Sequence, residues 1–368
     1  MIKNLLKISL FISVTITACH PSKNTTLTSS SQLYASNLQP IGRYRIAGGR
    51  QLELISSAVH FGFNFQGKTC TIFASAPEGT HNYFQYTLDG EYQKNVMVEG
   101  RGIQPFVLSA AEGGEHTIWI YKTTEAQTGP LFIQKTEGQN LQMLKAPAPP
   151  VIEFIVNSVT CGAAADSSDT PCGQGDYHYH HNAYYAYGPR VARALGIEFL
   201  MSSVSCIRVY RNWNSDGPAM PVVYEKTGLR EDDAGIWNFK KYSPKVVRIA
   251  LGTNDFSRGD GRSARLPFDS TNFVSSYIHL VELVKNKYPA AQMALLSSPM
   301  VQGANRDILQ NCITAVKASI DGNHPSDKPV AEFFFSPMQA HGCSGHPSVH
   351  EHAILAKKLL PFYQKLIQ

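Results

Sequence analysis

A serine, an asparagine and a histidine each stand in a short polar stretch. Ser158 lies in Val156-Asn157-Ser158-Val159-Thr160-Cys161-Gly162, Asn254 in Gly252-Thr253-Asn254-Asp255, and His346 in His341-Gly342-Cys343-Ser344-Gly345-His346-Pro347. A serine hydroxyl is a poor nucleophile until a base takes its proton, and an imidazole is the usual base. The tetrahedral intermediate of acyl transfer then needs donors for its oxyanion. The Ser158 backbone N–H and the Asn254 side-chain amide are two. Taken singly, such residues are turn formers, caps and surface groups; taken together and in this order, they point to ester chemistry.

The elements that must position them are legible as a change of period. From residue 151 onward, apolar β-rich runs alternate with helical stretches. The strand candidates are Val151 to Val156, Phe199 to Val204, Val246 to Leu251, Met293 to Ser297 and Ala331 to Phe335. The helix candidates are Tyr184 to Leu195, Ser270 to Lys287, Ala304 to Ser319 and Pro347 to Leu366. Continuous apolar strands between amphipathic helices imply an α/β domain over residues 151–368, a parallel sheet with helices on both faces. Ligands in such sheets sit beyond the carboxyl ends of the strands, where all three polar stretches fall. In the Ser270–Lys287 helix, Phe273, Tyr277, Leu280, Val281 and Val284 recur at helical spacing and mark a core face.

Residues 39–145 read differently. Short runs such as Gln51 to Ile55, Val59 to Phe65, Cys70 to Ala74, Tyr83 to Leu88 and His116 to Tyr121 are separated by Gly48-Gly49, Gln66-Gly67, Asp89-Gly90 and Gly113-Gly114. That pattern predicts an all-β antiparallel sandwich preceding the α/β domain. The Ala146 to Pro150 stretch reads as a stiff linker.

The ordered set, with Ser after a strand, Gly-x-Asn-Asp after a middle strand and His-Pro before the last helix, resembles the SGNH (GDSL-type) hydrolases. Gly114-Glu-His-Thr-Ile-Trp-Ile-Tyr-Lys-Thr-Thr-Glu125, then Gly129, and then Ile152 to Gly162 sharpen this into a resemblance to carbohydrate esterase family 2, from about residue 40 to the C-terminus. The resemblance implies a jelly-roll domain joined to a flavodoxin-like SGNH domain, and removal of O-acetyl groups from carbohydrate. It also implies that Ser158 is the nucleophile, His346 the base, and Asn254 with the backbone N–H of Ser158 and Cys206 the oxyanion hole. No metal or organic cofactor is implied.

Departures from the family pattern matter. Ser205-Cys206-Ile207-Arg208 stands where a Ser-Gly-x-Gly stretch is usual, so Cys206 takes a position where glycine often permits a special φ. Val156-Asn157 replaces Gly-Asp. Ser344 holds the position of the acid two residues before the histidine; a hydroxyl orients an imidazole but carries no charge. The reading is therefore a Ser-His dyad with a backbone carbonyl holding His346, and Asp255 structural. The alternatives are a catalytically impaired relative that binds glycan, and a lipase- or phospholipase-type esterase.

Several other residues have two readings. His178 and His180 fall on one side if Asp176 to Asn182 is extended, yet no carboxylate or thiol spacing there completes a metal site, and a polar loop near the cleft is expected. Tyr184 and Tyr185 offer an aromatic face to a sugar, or core. Trp237 is read as packing. Arg208 and Arg211 either steer an anionic substrate or, as preferred, form surface salt bridges.

Residues 1–19 carry Lys3, Lys7 and an apolar run from Leu5 to Ile16 ending at Thr17-Ala18-Cys19, a secretory signal with a lipobox-like end at Cys19. The Ser/Thr/Asn-rich residues 20–38 read as a flexible tether. Export makes disulfides the default for the six remaining cysteines, and Cys161–Cys172, flanking a Gly/Ala/Ser/Asp-rich loop, is the expected pair. The expected location is the cell envelope or the medium, with membrane contact only through a lipid on Cys19. The net charge of +5 is spread without basic runs, which argues against a nucleic-acid partner.

Overall fold

The computed structural model describes residues 30–145, 150–211, 217–257, 259 and 265–368. Residues 1–19, read as a signal with a lipobox, and linker residues 146–149 lie outside them.

The first domain is built from β1 (Ser30–Tyr34), β2 (Tyr44–Ala47), β3 (Gln51–Leu54), β4 (His60–Ser75), β5 (His81–Leu88), β6 (Glu91–Glu99), β7 (Gln104–Ser109), β8 (Glu115–Lys122) and β9 (Leu131–Met143). All pair antiparallel in one continuous nine-stranded sheet that curls over its own core. Two expected boundaries shift. Residues 30–34, within the span read as tether, pair with β9 and so belong to the sheet. The runs Val59 to Phe65 and Cys70 to Ala74 are one long strand: the pairing with β9 slips between Gln66 and Cys70, and Gly67, at φ +98°, takes the left-handed turn there. Because β4 pairs with β8 along its first half and β7 along its second, a single strand serves both layers.

The second domain has a five-stranded parallel sheet of β10 (Val151–Val156), β11 (Glu198–Ser203), β12 (Val246–Ala250), β13 (Gln292–Leu296) and β14 (Ala331–Phe333), in spatial order β11-β10-β12-β13-β14. Numbered within the domain this is 2-1-3-4-5, the flavodoxin-like order, whose switch point lies between β10 and β12. The helices are α1 (Ser158–Cys161), α2 (Tyr187–Leu195), α3 (Met220–Val223), α4 (Ser270–Lys287), α5 (Ala304–Asn323) and α6 (Val349–Ile367). Along β10, Ile155 packs towards α4 and α5, while Ile152, Phe154 and Val156 pack towards α2 and α6. Every residue of β10 is buried, as expected of a strand covered on both faces.

The two domains share a buried polar seam. Arg43 reaches from the β-domain to donate to Ser202 Oγ (2.9 Å) and the Lys226 carbonyl (2.7 Å), beside Glu153 at 3.9 Å. Its guanidinium also lies 5.2 Å from the centre of the Trp237 ring, so Trp237 packs at the domain junction. Tyr184 is buried against Tyr92 and Tyr121 of the β-domain, with Arg193 over its ring, so its face is used in packing. Arginines 208 and 211 correct the expectation of surface salt bridges. Arg208 is fully buried, and its guanidinium has no hydrogen bond among the described residues. Arg211 instead clamps backbone carbonyls of Asp255, Leu266 and Pro267.

Candidate active site

Ser158 stands at the first turn of α1, directly beyond β10. Asn157 caps that helix: its side chain accepts from the Val159 N–H at 3.1 Å. The chain must then turn sharply, and Gly162 does so at φ +74°; a Cβ there would lie 2.2 Å from the Asn182 carbonyl oxygen, so only glycine fits. Ser158 is 6% exposed.

His346 is held from three sides. Cys343 N–H donates to the Ala164 carbonyl (2.8 Å), Gly342 N–H to the His346 carbonyl (2.8 Å), and Val349 N–H to the Ala165 carbonyl (3.0 Å). Gly342 lets the strands of this loop approach: a Cβ would meet His346 O at 2.7 Å and Ala164 O at 3.0 Å. Ser348 and Glu351 form a capping box at the start of α6. Glu351 also accepts from His341 N–H and pairs with its ring, and these bonds, prevailing over burial, hold its carboxyl down at about 2. A disulfide joins Cys172 to Cys343, across 171 residues of chain. This corrects the expected Cys161–Cys172 pair: Cys161 is buried in α1 as a free thiol near Glu125, whereas Cys172 reaches the histidine loop.

Nδ1 of His346 lies 3.0 Å from the carbonyl oxygen of Ser344. A carbonyl only accepts, so Nδ1 carries the proton and Nε2 presents its lone pair. The residue at the acid position therefore acts through its backbone, and φ of +52° at Ser344 turns that carbonyl towards the ring. Burial pushes the His346 imidazole below its usual 6.5, which keeps it neutral and basic at pH 7.

The residues expected to form the oxyanion hole, Asn254 and Cys206, are tied to one loop. Cys206 adopts φ +60°, the left-handed conformation for which glycine is the usual residue. Asn254 Nδ2 donates to the Ile207 carbonyl at 2.9 Å, which orients the amide and leaves its second N–H free for a ligand. Asp255 accepts from the N–H groups of Val209, Tyr210 and Arg211, tying the same loop down. Burial pushes its carboxyl up to about 7. A cavity of about 510 Å³ opens at Ser205, Cys206 and Ile207, bounded by Gln127 of the β-domain and by Arg230 to Asp232.

Two functional neighbours carry no role in the sequence reading. Glu125, 1% exposed and delivered by the β-domain, accepts the Ser205 N–H at 2.5 Å and lies 3.4 Å from His181 Nε2. His181 Nδ1 accepts from the Ala164 N–H at 3.4 Å, so Nε2 is the protonated nitrogen and donates to Glu125. Burial alone would raise the Glu125 carboxyl, but the His181 and Ser205 bonds outweigh it and hold it low, hence ionised. Lys122 Nζ, wholly buried, donates to the carbonyls of Thr124 and Glu125 and to Thr124 Oγ1, shaping the turn that presents Glu125. Burial pushes its ammonium down to about 7. Glu125 ends the stretch that carries the family resemblance, and that was its only signal.

The second neighbour is Tyr177. Its hydroxyl lies 3.2 Å from His346 Nε2, and its ring meets His181 edge-on at 4.8 Å. Ser158 Oγ makes no hydrogen bond among the described residues, so the nucleophile and base candidates lie in adjoining loops without a direct bond. Tyr177 belongs to the Asp176–Asn182 stretch, which is not extended: Tyr177–His180 is a short 3-10 turn. That parts the two histidines expected on one side. His178 turns to His81 and His180 to the Pro171 carbonyl.

A 2-1-3-4-5 parallel sheet with serine after its first strand, asparagine after its third and histidine before its last helix defines an SGNH-type hydrolase domain, here joined to a curled β-domain. Residues 40–147 match the family described as carbohydrate esterase 2 N-terminal. The chain is 28% identical over 331 residues to a cellulase/esterase CelE of Acetivibrio thermocellus, covering 86% of this chain and 38% of that protein. An acetylxylan esterase / glucomannan deacetylase of Cellvibrio japonicus is 25% identical, with 84% of each chain covered. The structure of a family two carbohydrate esterase from Clostridium thermocellum in complex with cellohexaose superposes with a TM-score of 0.77 at 27% identity, over 91% of this chain and 98% of that one. The chain is thus similar to family two carbohydrate esterases across both domains, with the family model itself matching the β-domain.

Proposed function

We propose that the protein is a carbohydrate O-acetylesterase in which Ser158 attacks the acetyl carbonyl and His346 serves as base and then acid. Ser158 Oγ loses its proton to His346 Nε2 as the Oγ–carbon bond forms. The backbone N–H groups of Ser158 and Cys206 and the Asn254 amide receive the oxyanion. The intermediate collapses to an acetyl-serine, and His346 returns the proton to the departing sugar oxygen. Water, deprotonated by the same nitrogen, then releases acetate and restores the serine.

The observation that carries this reading is the Ser344 carbonyl on His346 Nδ1, which sets the tautomer a base needs without a carboxylate. The carbohydrate assignment rests on the relatives, and the cavity beside Ser205–Cys206 is the place for the sugar. The exported location, with a lipid on Cys19, completes the reading and rests on the residue 1–19 pattern. A glycan-binding, catalytically impaired relative is the second reading, favoured by the Tyr177 hydroxyl on the base nitrogen.

Acetate release from acetylated xylo-oligosaccharide, acetylated hexose and 4-nitrophenyl esters of two to twelve carbons separates these readings. Rapid release from the acetyl compounds with rates falling as the acyl chain lengthens is expected. Preference for long acyl chains would indicate a lipase-type enzyme, and glycan binding without acetate release would indicate the impaired relative.

A further inference from the structure

We propose that His81, Asp176 and His178 form a binding site for a divalent transition metal of the zinc kind, joining the two domains beside the candidate active site. His81 opens β5 of the β-domain, whereas Asp176 and His178 lie at the 3-10 turn of the catalytic domain. The Nε2 atoms of the two imidazoles are 2.7 Å apart, and Asp176 Oδ2 lies 4.0 Å from His81 Nε2. One ligand atom from each of the three residues falls within 4.8 Å of the others. Local spacing conceals the site, because the third ligand comes from another domain.

The chemistry of the cluster favours a cation shared by all three. Two imidazoles meeting nitrogen to nitrogen hold a single proton between them, since two would repel. A cation at that point takes the place of the shared proton and leaves each Nε2 to ligate through its lone pair. The rings are already held: Tyr179 stacks on His81 at 4.9 Å and Tyr83 meets it edge-on at 5.6 Å. Asp176 is two-thirds exposed and faces water, which leaves an open side for entry and for a fourth, solvent ligand.

Two imidazoles with one carboxylate form the borderline N/O set that suits Zn²⁺, with Cu²⁺ and Ni²⁺ as competitors. At Zn–N distances of about 2.0–2.1 Å, tetrahedral ligands stand roughly 3.3 Å apart, so the rings need to part by about half an ångström. The metal would cross-link β5 to the turn that carries Tyr177 between two of its ligands.

The test is titration of the tag-free full chain with Zn²⁺ against a chromophoric chelator, beside His81→Ala/His178→Ala and Asp176→Asn. One site per chain is expected, weakened at least about 100-fold in the double variant, beyond the cost of losing an outer-sphere partner alone. Asp176→Asn, at an exposed position that leaves folding intact, is expected to weaken binding about tenfold. Zn²⁺ should raise the melting temperature of the wild type and not that of the double variant. No binding by the wild type at 100-fold excess Zn²⁺, or equal affinity in wild type and Asp176→Asn, would overturn the site. Neither readout uses esterase activity.

Discussion

The hydroxyl of Tyr177 lies 3.2 Å from Nε2 of His346, the nitrogen that takes the serine proton in the proposed mechanism. A bond of this kind contributes about 0.5–1.5 kcal/mol and must be given up before Ser158 can engage the base. Tyr177→Phe removes it and leaves the ring against His181. The variant is expected to raise kcat/KM for 4-nitrophenyl acetate by about two- to tenfold, the same free energy expressed as a rate. A fall of tenfold or more would assign Tyr177 a constructive part in catalysis.

Glu125 connects the β-domain to the loop of Cys206 through the Ser205 N–H, and its proposed part is to position that loop. Glu125→Ala leaves the Ser205 N–H and the His181 ring without their buried acceptor. That costs about 1–3 kcal/mol of stability and loosens Cys206. Loss of one oxyanion donor costs about 10²–10³ in kcat, and a displaced donor should cost about tenfold. The expected signature is a lower kcat with KM nearly unchanged, partly restored in Glu125→Gln. Equal rates in all three proteins would remove Glu125 from the account.

Local sequence pattern marks some of these elements and not others. The α/β half is legible: β10 and α4 run from Val151 to Val156 and from Ser270 to Lys287 as the apolar periods predict. Local pattern suffices there because each element buries a face defined by its own sequence. The long β4 was split in two because Gly67 reads as a turn, while only the neighbouring strands reveal that it is a bulge. The disulfide was misassigned for the same reason: proximity in sequence favours Cys161, and tertiary packing brings Cys343 to Cys172. Tyr177, Glu125 and the His81 cluster depend on contacts between distant segments, to which no local spacing points.

Cys206 was legible in part. Glycine is the usual residue where this chain has cysteine, and the φ of +60° is retained at a cost of about 1 kcal/mol. Cys206→Gly should therefore be as stable or up to about 1 kcal/mol more stable in urea unfolding, with kcat kept, because the oxyanion bond uses backbone. A kcat loss of tenfold or more would show that the cysteine side chain itself contributes.

The pH dependence has a definite sign. Burial lowers the His346 imidazole from 6.5, so the neutral base persists below pH 6.5, and kcat/KM should fall only at more acid pH. Stability follows the same direction. His352, buried beside Arg190, is held down at about 3, and His178 at about 4. The unfolded chain takes up protons near 6.5 and the folded chain does not. Stability is thus fully present above pH 6.5 and declines as pH falls towards 4 and 3. Urea midpoints at pH 7.5 and 5 should show the drop, and His352→Gln should reduce it; identical midpoints in the wild type would contradict the burial argument.

The most direct test of the dyad is acetate release from an acetylated hexose by the wild type and by Ser158→Ala, with both shown to be folded by circular dichroism. Loss of at least about 10³-fold in the variant is predicted, since the remaining oxyanion donors and binding alone retain only residual catalysis. Unchanged acetate release by Ser158→Ala would contradict the assignment of Ser158 as nucleophile.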